Sequence, residues 1–322
     1  ERGKLGSLAS EDRRRVRTLH SRVPELGFLD VLLAVHGSWR RRPEDWRKGC
    51  YACLPIIESP RIMAELEPRN VLEALEMGSP HHKVMRMLRH KPAWARDSDE
   101  NERFPLHLAA MTGSPITVVL RLLELFPYAA SKVDDDGRLP LHYAAGSKCD
   151  EMTVIALLEA NIKGAAVVDL DGQLPLHWAC ATGAKVRVVE CLLKAYPAGA
   201  KDKLPLGGLP LHLAVDNKAP LMVINRLLEV YPAGAQEKAI FGWLPIHLAV
   251  DNDSKVEVID CLLKAFPDGV DKKGVFGGTV VQLAESNDAP ESVVAKLREE
   301  AKAAMTKDNA EGAAAEGEGA AA

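Results

Sequence analysis

Five histidines stand at one spacing: His107, His142, His177, His212 and His247 are each 35 residues apart. Evenly placed imidazoles could hold metal or relay protons. A shared ion needs each ligand within about 2 Å. One histidine per structural unit, with units packed about 10 Å apart, is too sparse for that, and the ladder is read as structural. Cys50 and Cys53 form a Cys-x-x-Cys pair, which could be half a zinc site or a redox dithiol. No second pair follows, and His36, His81 and His82 lack ligand spacing. Trp46, Cys50 and Cys53 fall at i, i+4 and i+7, an apolar helix stripe that Pro55 would end. Core packing is the favoured reading; zinc and redox roles stay open beside it. Arg13-Arg14-Arg15 and Arg40-Arg41-Arg42 lie in a segment, 1–60, with twelve Lys/Arg against eight Asp/Glu. A solvated face accounts for so modest an excess. An RNA, anionic lipid or acidic protein contact is the sharper alternative, with few aromatics to stack bases. No phosphate loop, dinucleotide glycine fingerprint, His-Glu-x-x-His or Gly-x-Ser-x-Gly occurs. The expectation is a non-catalytic protein with no cofactor and no metal.

The elements that carry the histidines repeat with them. Each sits in a copy of Leu-Pro-Leu-His-x-Ala: Phe104–Ala109, Leu139–Ala144, Leu174–Ala179, Leu209–Ala214 and Leu244–Ala249. A worn sixth copy, Thr279–Ala284, has Gln282 where histidine would stand. A second set of columns follows: Val119, Val154, Val189, Ile224, Ile259 and Val294; Leu122, Leu157, Leu192, Leu227, Leu262 and Leu297. With Leu123, Leu158, Leu193, Leu228 and Leu263 they occupy i, i+3 and i+4, one face of a helix. Pro127, Pro197, Pro232 and Pro267 would end that helix. Gly137, Gly172, Gly207, Gly242 and Gly277 mark a turn before each Leu-Pro. The unit is therefore a turn, a short helix A opened by proline, a longer helix B and an extended finger. A fixed period of this size signals a stacked repeat protein.

These motifs resemble the ankyrin repeat, Thr-Pro-Leu-His-x-Ala-Ala with a later Val-Val-x-Leu-Leu, over about residues 82–300. A Leu-Pro-Leu-His variant with Tyr-Pro helix ends is similar to algal and protist ankyrin-like proteins. The resemblance implies an all-α, ankyrin-like solenoid of helix-turn-helix units that binds partner proteins. It also implies that the histidines bond backbone groups at the repeat junctions. Two departures stand out: the 35-residue period exceeds the usual one by about two, and the motif threonine is Phe104, Leu139, Leu174, Leu209 or Leu244. Its hydroxyl would cap helix A, so one cap per repeat is lost.

Three segments are expected: an N-terminal helical cap over 1–69, a solenoid over 70–300 with degenerate first and last units, and an Ala/Gly/Glu-rich tail over 301–322. The solenoid's first unit carries Val84, Leu88 and Pro92 in register, and Asn70 with Glu73 has capping-box spacing. The tail has too little apolar content to offset ordering entropy, so it is expected to be disordered. A net charge of -4 gives no push toward nucleic acid, and no run reaches the roughly 18 apolar residues of a membrane span. Six cysteines, Cys191 and Cys261 sharing one column, do not form a secreted disulfide pattern. Reduced thiols in an intracellular compartment are expected, the cytoplasm first. The chain begins at Glu1, so an organelle reached after leader removal stays open.

The fingers change along the chain. Asp134-Asp135-Asp136 and Asp169-Leu170-Asp171 give way to Leu204-Pro205-Leu206, Ala239-Ile240-Phe241 and Gly274-Val275-Phe276. Exposed contiguous apolar surface marks interaction sites. Leu206, Phe241 and Phe276, with Ile240 and Trp243, are the expected partner-binding ladder. Asp134, Asp135 and Asp136 are the expected charged contact, and the Val215-Asp216-Asn217 and Val250-Asp251-Asn252 turns the polar rim. The partner is expected to be a protein. A permanent place in a larger assembly, docked partly through the basic N-terminal helices, is the alternative.

Overall fold

A computed structural model describes residues 68–147, 149–239, 242–274 and 277–303, with residue 306. Residues 1–67 of the expected N-terminal cap, with both arginine clusters, Cys50 and Cys53, lie outside the described residues, as do Ile240, Phe241, Phe276 and the tail from 307. The chain divides into two compact units, Glu1–Glu73 and Ala74–Ala322. The helical repeats occupy the second.

The described residues form helices in regular alternation. They are α1 (Val71–Glu76), α2 (His81–His90), α3 (Pro105–Met111), α4 (Ile116–Leu125), α5 (Pro140–Gly146), α6 (Glu151–Ala160) and α7 (Pro175–Thr182). Then come α8 (Val186–Ala195), α9 (Pro210–Asp216), α10 (Leu221–Val230), α11 (Pro245–Asp251), α12 (Val256–Ala265), α13 (Val280–Ser286) and a last helix, α14, over 291–303. From α3 onward, odd-numbered helices are the short helix A and even-numbered ones the longer helix B. Each A helix packs on the A helices before and after it, and each B helix on its B neighbours. The core is therefore two continuous seams. Leu141, Leu176, Leu211 and Ile246 fill the inner seam, and Val119, Val154, Val189, Ile224 and Ile259 the outer, all buried. Such cores are built only from nearest-neighbour interfaces.

Each B helix from α4 to α12 ends alike. The residue after it adopts φ near -150° to -135° and ψ near 80°, and a 3-10 turn follows. Before proline this is expected, because the α region is disfavoured there. The repeat with Ile162 in place of proline keeps the same geometry. There Asn161 holds the turn from its side chain, donating Nδ2–H to the Ala130 carbonyl of the preceding repeat at 3.1 Å.

Two side-chain bonds hold the start of α1. Asn70 Oδ1 accepts the Glu73 N–H at 2.9 Å, and the Glu73 carboxylate reaches the N–H of Arg69, one residue earlier, at 2.7 Å.

Candidate partner-binding surface

The A helices open on an apolar residue in extended conformation, so no side-chain oxygen caps them. The histidine at N3 supplies the missing half. Nδ1 of His107, His142, His177, His212 and His247 accepts the N-cap N–H of Phe104, Leu139, Leu174, Leu209 and Leu244, at 2.9–3.3 Å. An accepting Nδ1 leaves the proton on Nε2. That N–H donates to the next finger: to the carbonyls of Lys132, Gln173, Asp202, Glu237 and Lys272 at 3.0–3.2 Å. Each imidazole therefore staples a helix A to the following repeat and has no nitrogen left for a metal. Burial pushes all five pKa values down, to about 4 for His107 and His212. In the last repeat Gln282 takes over: its Oε1 accepts the Thr279 N–H at 2.9 Å, and Thr279 Oγ1 accepts the Gln282 N–H at 3.4 Å.

The early fingers are laced by aspartates that face inward. Asp134 Oδ1 accepts the N–H groups of Asp136 and Arg138, at 3.0 and 2.9 Å. Its Oδ2 accepts the Tyr143 hydroxyl at 2.6 Å. Burial and that bond push the tyrosine up to about 12. Asp99 and Asp169 repeat the pattern on their own fingers, with Arg103 Nε and Trp178 Nε1 as side-chain donors at 2.8 and 3.0 Å. Of the three acidic residues expected at the first tip, then, Asp134 is buried and committed, while Asp135 and Asp136 are exposed. Asp136 is paired with Arg138 at 2.7 Å. Arg138 lies over Trp178, 5.0 Å from its ring centroid, and also reaches Asp171 at 3.4 Å. The Asp-x-x-Gly spacing of Asp134 to Gly137 and Asp169 to Gly172 is the sequence signal for this inward turn. Gly137 and Gly172 sit at φ 73° and 74°, which a glycine adopts freely.

Backbone bonds also tie early fingers together: Asp135 N–H to the Asn101 carbonyl at 3.1 Å, and Leu170 N–H to the Asp136 carbonyl at 3.0 Å. The next position is Pro205, which has no N–H. Leu204, Ala239 and Gly274 occupy the aspartate position in the later fingers, so the carboxylate lacing stops there as well.

The later inner face is correspondingly different. Leu206 is 66% exposed and Trp243 half-buried. Trp243 forms one wall of a half-open groove of about 440 Å³ between α11 and α13. Leu283 and Gln282 stand opposite, Gly274 and Gly278 line the finger side, and Asp251, Ser286 and Asn287 reach it from the helix ends. Room on the finger side exists because two positions lack side chains; a Cβ on Gly274 would come within 3.0 Å of His247 Cδ2. Along the floor, Asn252 Nδ2 donates to Asp216 Oδ1 at 2.9 Å, and Asn287 Nδ2 to Asp251 Oδ1 at 3.1 Å.

Four described cysteines are free: Cys149, Cys180, Cys191 and Cys261. Burial alone pushes Cys180 up to about 12, leaving it an inert core thiol. No helix among the described residues is long and apolar enough to cross a membrane.

The family model for ankyrin repeats matches residues 72–165 and 106–205. The fold is an ankyrin-repeat solenoid. The ankyrin repeat domain of human ASB11 superposes with a TM-score of 0.58, covering 71% of this chain and 96% of that one at 24% identity, a likeness of fold alone. No curated protein matches the chain in sequence. Ankyrin repeats are generally protein–protein interaction modules and typically non-catalytic.

Proposed function

We propose that this ankyrin solenoid is a non-catalytic module that holds a partner protein on its concave side, along the fingers and A helices of the later repeats. The observation that supports this most is the abrupt change of the inner face after Asp171. Early fingers tie their polar groups into one another. Later fingers drop the carboxylates, put an exposed Leu206 where Asp136 and Asp171 stand, and open the groove beside Trp243; an apolar tip is already exposed at Leu170. A half-buried tryptophan in a pocket is the usual kind of interface anchor. Phe241 and Phe276, in register with Leu206, extend the proposed ladder, and the exposed pair Asp135 and Asp136 is proposed as a secondary charged contact.

The test is affinity capture read by mass spectrometry. The intact chain is compared with a Leu206→Asp, Phe241→Asp, Phe276→Asp variant, after both show equal helicity and melting. Loss of one dominant protein with the variant supports the reading. An unchanged catch moves the interface off the late fingers.

A further inference from the structure

The proposed binding face carries enough detail to name the chemistry of what it holds, and the inference rests on that reading. Each late A helix ends in an exposed aspartate followed by an asparagine: Asp216-Asn217 and Asp251-Asn252, with Ser286-Asn287 closing the series. The floor therefore presents one carboxylate per repeat. Each is held by one oxygen to the asparagine of the next repeat, which fixes its position and turns it into a rigid acceptor. A side chain on this floor that is a cation gains a charge-assisted hydrogen bond. Beside the second carboxylate lies the Trp243 and Leu283 groove, with space for an apolar side chain.

Spacing narrows the partner further. Stacked repeats repeat about every 10 Å. A polyproline-II strand rises about 3.1 Å per residue with three residues per turn. It therefore returns the same face every three residues, after about 9.3 Å, one repeat of the floor. A β-strand rising about 3.3 Å per residue covers the same distance in three residues but turns its third side chain to the other face.

We infer that the late groove recognises an extended, polyproline-II-like peptide segment carrying two basic residues three positions apart, one opposite Asp216 and one opposite Asp251, with an aliphatic or aromatic residue next to the second seated against Trp243. Lys273, next in sequence to Gly274 on the finger side of this groove, would disfavour a third basic residue there.

A displayed library of random twelve-residue peptides, selected against the full chain, tests this. The expected consensus has Lys or Arg at i and i+3 with an apolar neighbour. Selected peptides are then synthesised and titrated. Asp216→Asn and Asp251→Asn keep shape and remove charge, and each is expected to weaken binding about 5- to 30-fold. Trp243→Ala is expected to weaken it at least 10-fold, with the helical fold retained in all three variants. Affinity is also expected to fall with rising salt. Peptides without paired basic residues that still depend on Trp243 would overturn the peptide chemistry and leave the protein-binding reading standing. Peptides indifferent to Trp243 and to both aspartates, or no selection at all, would overturn this inference. In that case the capture experiment with the finger variant decides the broader reading separately.

Discussion

Asp134 and Tyr143 lie nine residues apart in sequence and meet at 2.6 Å, carboxylate to hydroxyl, inside the first finger of the clear repeats. One repeat later Asp169 and Trp178 meet at 3.0 Å in the same way. In both cases the other carboxylate oxygen binds two backbone N–H groups of its own turn. These aspartates are joints that set the finger on helix A.

Removing a joint should therefore cost stability without touching the hydrophobic seams. Asp134→Ala leaves two N–H groups and a buried hydroxyl without an acceptor. The expected loss is roughly 2–4 kcal/mol, read as a lower denaturant midpoint with little change in slope. Asp136→Ala, on an exposed ion pair, is expected to lose less than about 1 kcal/mol.

The same contrast predicts a gradient of motion. Fingers with the carboxylate, around 99–103, 134–138 and 169–173, should exchange backbone amides more slowly than those around 204–208, 239–243 and 274–278, which lack it. Hydrogen exchange at neutral pH checks this. Equal protection of early and late fingers would remove the lacing as a cause of rigidity.

The histidine staples predict a pH dependence with a definite sign. The native imidazoles are neutral, with pKa values below 6.5 and about 4 for His107 and His212. Above pH 6.5 both folded and unfolded forms are neutral, and the contribution is complete. As pH falls from 6.5 toward 4 the unfolded chain takes up protons that the folded chain refuses, and stability drops. Each such histidine adds at most about 1.4 kcal/mol per pH unit to the slope. Urea unfolding from pH 7.5 to 4.5 should show the decline. His212→Gln, imitating Gln282, should flatten it by about one proton's worth.

Thr153 is the one outer-seam position where a hydroxyl replaces a recurring valine. Val118, Val188, Val223, Val258 and Val293 occupy it in the other B helices from α4 onward, all buried. Thr153 is fully buried, and its hydroxyl has no hydrogen-bond partner. Thr153→Val should stabilise the protein by about 1–2 kcal/mol, seen as a higher melting temperature with unchanged partner capture.

Much of this was legible in the sequence because the fold is a repetition. The 35-residue columns locate both helices of each unit, and the ordered pattern of leucine and valine locates both seams. What resisted reading were polar groups whose role depends on direction. Asp134, Asp135 and Asp136 are alike in sequence, yet only the first turns inward, because the hairpin turn aims its carboxylate at two of its own N–H groups. The stacking of Arg138 on Trp178 crosses from a finger past α5 to the A helix of the following repeat, α7, which periodicity alone does not pair. Helix ends carried a related surprise: Asn161 does by a side-chain bond what proline does elsewhere by excluding conformations. The expectation that losing threonine leaves helix A with one cap fewer holds for the hydroxyl, while histidine Nδ1 satisfies the N-cap N–H from the other side.

The central claim is that the later fingers and the floor beside Trp243 form the binding face. Hydrogen exchange of the full chain, alone and saturated with its captured partner, tests it most directly. The account predicts new protection concentrated at 204–208, at 242–252 and at 277–287. Protection confined to the outer helices α4, α6 and α8, with the fingers unchanged, would contradict it.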